Sequence, residues 1–247
     1  MGSCKLKYLY FKDVVKIIKT VQSDVKLNIT PDGMWVRAVD TSNVMMINLN
    51  LPKSLFEHYN MENQVIYLDM NKITNFANMT YGWIEIKQVA RNGELVYSTL
   101  NLSSGKFTMM TSGIDGNLVK KEPKVPDNSI LNDATVIVKA FDVRNFLRSI
   151  KSSCNKVKIY VSENNSSLKA LDESLEQDVY QLQVTSGCVD SNHETSLYSI
   201  GYLYDAFKYI KNDVAISMST DTPCKISFNF NDIPVGCYYL APRVEAD

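Results

Sequence analysis

The stretch 11–21, FKDVVKIIKTV, constrains this chain most. Phe11, Val14, Val15, Ile18 and Val21 recur at helical spacing and form one apolar face. Lys12, Lys16 and Lys19 fall at i, i+4 and i+7 and share a second face. The same layout returns 132 residues later in 143–151, VRNFLRSIK. There Val143, Phe146, Leu147 and Ile150 take the apolar places, and Arg144, Arg148 and Lys151 take the basic ones. A fold that uses this helix twice has two related halves, and each half presents a row of cations.

The remaining segments repeat a common grammar. In the first half, strands are expected at 5–10, 25–29, 34–40, 44–51, 65–68, 83–89, 94–102 and 106–111. Thr30-Pro31-Asp32-Gly33 is a turn, and 52–59 is a loop with room for one helical turn. Asp69 is the expected N-cap of a short helix, 70–79, that buries Ile73, Phe76 and Ala77 and leaves Lys72 outside. Asn92-Gly93 joins two strands as a hairpin. Residues 112–133 lack periodicity and contain Pro123 and Pro126. An irregular run of that length is a linker or a functional loop.

In the second half, strands are expected at 135–140, 156–162, 167–172, 179–185, 214–219, 225–231 and 238–241. A turn is expected at 164–166 and a polar loop at 186–194. Asp142 is the expected cap of the second basic helix. Ser199 is that of a fourth helix, 200–211, carrying Lys208 and Lys211. The class is α+β: antiparallel sheet with two short helices in each half, from an internal duplication. The limits are 1–113 for the first domain, 114–133 for the connecting loop and 134–247 for the second.

The chain has 26 Lys and Arg against 27 Asp and Glu, a net charge of −1. The four helical stretches hold nine of the cations and three acids, +6, which leaves −7 for the rest. Charge segregated in this way gives one attractive face and a repellent outside. A row of Lys and Arg holds phosphates without reading bases. The same residues also suit an ordinary solvated face; the repetition favours binding. Apart from Tyr204 near Lys208, no aromatic residue is interleaved with the cations to stack unpaired bases, so duplex is expected over single strand.

Other functions find little support. The two histidines, His58 and His193, lie in polar or loop settings and read as solvated surface residues. There is no glycine-rich phosphate loop, nucleophile elbow or metal cluster, so neither catalysis nor a metal or cofactor is expected. The five cysteines are scattered and odd in number, which reads as reduced thiols. No window approaches a membrane span, and MGSCKLKYLYFKD has no apolar signal core.

Three segments carry a family resemblance. The first runs from Asp32-Gly33-Met34 through Ala38-Val39-Asp40-Thr41-Ser42-Asn43-Val44. The second is VAISMSTDTP at 214–223, and the third is YYLAPRVE at 238–245. Together they resemble the DNA sliding clamps of the proliferating cell nuclear antigen (PCNA) type, over essentially the whole chain.

The resemblance implies a trimeric ring, of one subunit type or several, with six related domains in pseudo-six-fold array. Basic helices would surround double-stranded DNA without sequence preference, through Lys12, Lys16, Lys19, Lys72, Arg144, Arg148, Lys151, Lys208 and Lys211. Short motifs of DNA polymerase, clamp loader and other clamp-binding proteins would dock on Val39, Asn43, Val44, Met46, Val125, Pro223, Tyr239, Ala241 and Pro242. Subunits would join through edge strands that include Phe107 and Met109 on one and Tyr180 and Leu182 on the next.

Asn43 stands where the family pattern has His, and the loop is Lys-rich where relatives are often acidic. The implied location is the nucleus in a eukaryote, a viral replication site or the archaeal cytoplasm. The alternative is a clamp-like interaction scaffold, monomeric or heteromeric, that does not encircle DNA by itself.

Overall fold

The computed structural model of the chain describes residues 2–92, 94–126, 134–162, 166–172, 177–184, 187–189 and 194–243. The chain divides into two compact units. The first comprises Met1–Thr41, Met46–Pro123 and Phe230–Gly236; the second comprises Ser42–Met45, Lys124–Asn229 and Cys237–Asp247.

In chain order the first half runs β1 (Ser3–Lys7), α1 (Tyr8–Lys19), β2 (Asp24–Thr30), β3 (Gly33–Val39), β4 (Met45–Pro52) and β5 (His58–Asn60). It continues with β6 (Gln64–Asp69), α2 (Met70–Met79), β7 (Trp83–Arg91), β8 (Glu94–Ser104) and β9 (Phe107–Ser112). The second half repeats that order. It runs β10 (Ala134–Lys139), α3 (Ala140–Ile150), β11 (Lys156–Val161), β12 (Ser166–Asp172), β13 (Gln177–Val184) and β14 (Gly187–Val189). Then come β15 (Glu194–Ser199), α4 (Ile200–Phe207), β16 (Asp213–Met218), β17 (Cys224–Phe230) and β18 (Ile233–Leu240).

The strand orders match as well. In the first half β5-β1-β7-β8-β9 and β6-β2-β3-β4 lie side by side; in the second, β14-β10-β16-β17-β18 and β15-β11-β12-β13 do. The pairs β1–β7, β2–β3, β10–β16 and β11–β12 are antiparallel.

All four helices start on the residue after a strand ends. Their N-cap residues Lys7, Asp69, Lys139 and Ser199 are therefore extended. Only Asp69 caps with its side chain, accepting from the Asn71 amide at 2.8 Å, as its place before the helix predicts. Asp142 does not cap α3. The strand feeds the helix directly, so Asp142 falls in the first turn, where a carboxylate still favours the positive end of the helix dipole. Ser199 holds the cap position of α4 without making the side-chain bond. The immediate strand-to-helix step also starts α1 at Tyr8, inside the expected strand 5–10; the Tyr8 amide donates to the Gly82 carbonyl at 3.0 Å.

The apolar helix faces go inward as their spacing requires. Phe11, Val14, Val15, Ile18 and Val21 are buried, as are Val143, Leu147 and Ile150; Phe146 is half-buried. Each fully buried aliphatic or aromatic side chain contributes about 1.5–3 kcal/mol of transfer free energy. In the first unit α1 and α2 pack together, with Phe11 edge-on to Phe76 at 6.3 Å. In the second, α3 and α4 pack together.

Three strands escape the sequence pattern. The short β5 and β14 are three-residue strands paired to β1 and β10. In β15 the inward residues include Ser196, whose hydroxyl donates to the Ser219 carbonyl at 3.2 Å and accepts from the Asp221 amide at 2.8 Å. A buried Ser with its hydrogen bonds satisfied does not register as an apolar position.

The turn before β3 follows its sequence. Gly33 has φ 152°, and a Cβ there would sit 2.3 Å from the Leu51 carbonyl oxygen. Asn92 takes φ 52° in the β7–β8 hairpin; Gly93 and the turn residues 164 and 165 lie outside the described set.

Candidate nucleic-acid interface

In the first unit, α1 carries Leu9, Lys12, Lys16 and Lys19 along one stripe. Lys12 and Lys16 are half-buried at their stems and Lys19 is exposed. Lys72 projects from the first turn of α2 and is exposed. Among the described residues, Lys12, Lys19 and Lys72 make no ion pair with a carboxylate. These cations are thus available to a polyanion.

In the second unit, the stripe on α3 is Phe141, Arg144, Arg148 and Lys151, each 132 positions after its counterpart on α1. Here two of the stripe's cations, Arg144 and Lys151, are engaged. The Arg144 guanidinium donates to the carbonyls of Ile210 at 3.1 Å and Lys208 at 3.5 Å. It thereby closes the carbonyl end of α4, where a cation is favoured, and lies 5.8 Å from the ring of Phe141. The Lys151 ammonium stands 4.5 Å over Tyr204, and Lys208 stands 5.3 Å over Tyr209. Arg148 is exposed.

The fourth helix ends at Phe207, with Lys208 as its C-cap, so Lys211 lies beyond the helix and not on it. Arg144 satisfies the carbonyls that a longer helix would have used internally. Asp205 on α4 is half-buried among these cations. Burial pushes its carboxyl above the usual range, opposed by Lys208 and Lys151.

The residues matched to a partner-docking motif fall as follows. In the first unit Val39 and Met46 are register partners of β3 and β4; Val39 is half-buried and Met46 buried. In the second unit Asn43 is exposed with φ 58°, a left-handed conformation that Asn tolerates. Val44 accepts from the Ala241 amide at 2.9 Å. Tyr239 is buried, while Val125, Pro223, Ala241 and Pro242 are half-buried. The last motif residues, Val244 and Glu245, lie outside the described set.

The connecting loop is not simply solvated. Glu122 pairs with Lys26 at 3.3 Å and accepts from the Asn28 amide group at 3.0 Å, and Lys120 donates to the Asp40 carbonyl at 2.9 Å. These bonds hold the segment on the first unit. Nothing in the spacing of the loop residues could have shown them, because the partners lie on β2 and just past β3.

The two expected joining strands are both at sheet edges: β9 ends the first unit's sheet and β13 the second's. Phe107 is exposed and meets Tyr81 edge-on at 6.4 Å; Met109 is half-buried. Met110, which the sequence reading passed over, is 65% exposed. Tyr180 is exposed and Leu182 half-buried. A cavity of roughly 290 Å³ beside β13 is lined by Ile137, Lys139, Asp142, Val143, Leu182 and Asp213. An unpaired edge flanked by exposed apolar residues is a surface for strand addition.

Among the described residues there is no group of three metal-ligating side chains and no helix long and apolar enough to cross a membrane. Cys4 and Cys224 are buried, and burial pushes both thiols up to about 12. Such thiols do not act as nucleophiles at neutral pH.

Comparison with known proteins agrees with this architecture. The model of the PCNA N-terminal domain matches residues 6–90. The DNA polymerase sliding clamps of Methanosarcina barkeri and Methanospirillum hungatei are 28% and 27% identical, with 96% of each chain covered. Among solved structures, A. fulgidus PCNA, bound to the C-terminal region of FEN-1, superposes with a TM-score of 0.87 at 22% identity, covering 100% of both chains. PCNA of Thermococcus kodakaraensis superposes with a TM-score of 0.84 at 17% identity, covering 98% of this chain and 100% of its own. Residues 6–90 thus match the PCNA N-terminal domain, the chain is similar to DNA polymerase sliding clamps over 96% of its length, and its fold is that of the PCNA structures.

Proposed function

We propose that this protein is a ring-forming sliding clamp, a processivity factor that encircles duplex DNA and tethers DNA polymerase and repair proteins to it. The observation that carries the reading is the recurrence of one basic helix stripe at the same place in two halves of identical element order. The sliding-clamp relatives, matched over 96% of the chain, support it.

The proposed working parts are a first clamp domain at 1–113, a connecting loop at 114–133 and a second clamp domain at 134–247. The DNA-facing cations are Lys12, Lys16, Lys19, Lys72, Arg148, Lys151, Lys208 and Lys211, with Arg144 in a supporting place. Partner motifs dock on Val39, Asn43, Val44, Met46, Val125, Pro223, Tyr239, Ala241 and Pro242. Three chains close by pairing the Phe107–Met109 edge of one with the Tyr180–Leu182 edge of the next.

The work asked of the protein is binding, with no bond made or broken. Phosphate contacts of this kind exchange quickly and read no sequence, which suits a ring that must slide. The protein acts where DNA is copied; its archaeal relatives fit the cytoplasm of such a cell, and the nucleus applies to a eukaryotic source.

Duplex affinity measured across a salt series tests this. The logarithm of affinity falls linearly with that of salt concentration, and the slope flattens when Lys19 and Arg148 are both changed to Glu. A salt-independent affinity, or a slope untouched by the double change, overturns the reading.

A further inference from the structure

In the second unit, rings are set among the cations of the helix stripe. On α3 the stripe begins with Phe141, which is 59% exposed, and continues through Arg144, Arg148 and Lys151. Arg144 lies against one side of the Phe141 ring, and Lys151 stands over Tyr204 on the neighbouring helix. On α1 the position equivalent to Phe141 is Leu9, and the stripe carries no aromatic side chain there. Two tyrosines flank Leu9 on that helix turn: Tyr8 is half-buried, and Tyr10 is stacked on Phe230 at 5.4 Å.

A basic surface with an exposed ring is an arrangement that can hold unpaired nucleotides. The cations attract the backbone, and a base stacks on a π-face regardless of sequence. A duplex cannot use the ring, because its bases are already stacked on each other. The exposed apolar Phe141 therefore contributes little to duplex binding and has a specific use for a single strand.

We infer that the α3–α4 face of the second unit binds single-stranded DNA, with Phe141 as a base-stacking platform and Arg148, Lys151 and Lys208 as backbone contacts. This goes beyond encirclement of a duplex.

The test measures binding of the full-length protein to a labelled oligo-dT and to a duplex of the same length, by fluorescence anisotropy at one fixed salt concentration. Phe141→Ala weakens oligo-dT binding by about fivefold to a hundredfold and leaves duplex binding within about twofold. Leu9→Ala changes neither. Phe141→Trp retains oligo-dT binding and adds fluorescence, relative to the parent protein, that oligo-dT quenches and duplex does not.

The inference is overturned if Phe141→Ala leaves oligo-dT binding unchanged or weakens both ligands equally. An added Trp signal that oligo-dT does not quench overturns it as well, whatever the Ala variant does. The duplex arm is read in the same experiment, so failure of the single-strand inference is distinguishable from failure of the clamp reading.

Discussion

Lys12 and Arg144 stand at the same place in the repeat, yet their surroundings differ. Lys12 sits on α1 without an ion pair to a carboxylate among the described residues. Arg144 is bonded to two carbonyls at the end of α4. The same division runs along the stripes. Lys19 likewise makes no ion pair with a carboxylate among the described residues, whereas Lys151 stands over Tyr204 of the neighbouring helix. At the second place one terminal nitrogen of Arg144, Nη1, donates to both carbonyls.

Paired substitutions probe how deep the likeness goes. The largest effect is expected in the cores. Ile18 and Ile150 are repeat equivalents, 4% and 2% exposed, so changing either to Ala costs about 2–5 kcal/mol. Denaturant unfolding of the two variants sharpens the comparison if the costs agree within about 1 kcal/mol; a large inequality breaks the equivalence of the halves.

Next comes the tie itself. Arg144→Gln removes the bonds to α4 and is expected to cost about 1 kcal/mol or somewhat more, whereas Lys12→Gln stays within about 0.5 kcal/mol. Equal costs in thermal melts would erase the asymmetry described here.

The caps give a smaller contrast. Asp69→Ala loses a side-chain cap and costs about 1 kcal/mol. Ser199 makes no such bond, so Ser199→Ala is expected to cost much less. Helix content followed by circular dichroism during melting separates the two.

The smallest effect concerns Asp205. Its carboxyl is raised by burial, so the folded state holds the proton more tightly than the unfolded chain. That contribution to stability is present at low pH and is lost as pH rises through the raised value. Asp205→Asn is therefore expected to stabilise the protein slightly at neutral pH and not below the ordinary carboxyl range. A melting temperature unchanged at pH 7 contradicts this.

How much of this was legible beforehand depends on the distance over which each cause acts. The amphipathic faces of α1 and α3, the Asp69 cap and the Gly33 turn are local patterns, and the sequence predicts them from spacing and residue type. The end of α4 is not local. Residues 208–211 continue a helical pattern, but Arg144, 64 positions away from Lys208, takes up the carbonyl end. The strands β5 and β14 are set by partners on β1 and β10, and their own residues carry little pattern. The loop bonds of Lys120 and Glu122 likewise depend on residues far back in the chain. Phe141 was visible as a letter, but its exposure came only with the fold.

The account rests on closure of several chains into a ring, and the mass in solution tests that most directly. Light scattering on the purified protein at micromolar concentration is expected to give three chain masses, unchanged on moderate dilution. A single chain mass under the same conditions would contradict a ring made by this protein alone.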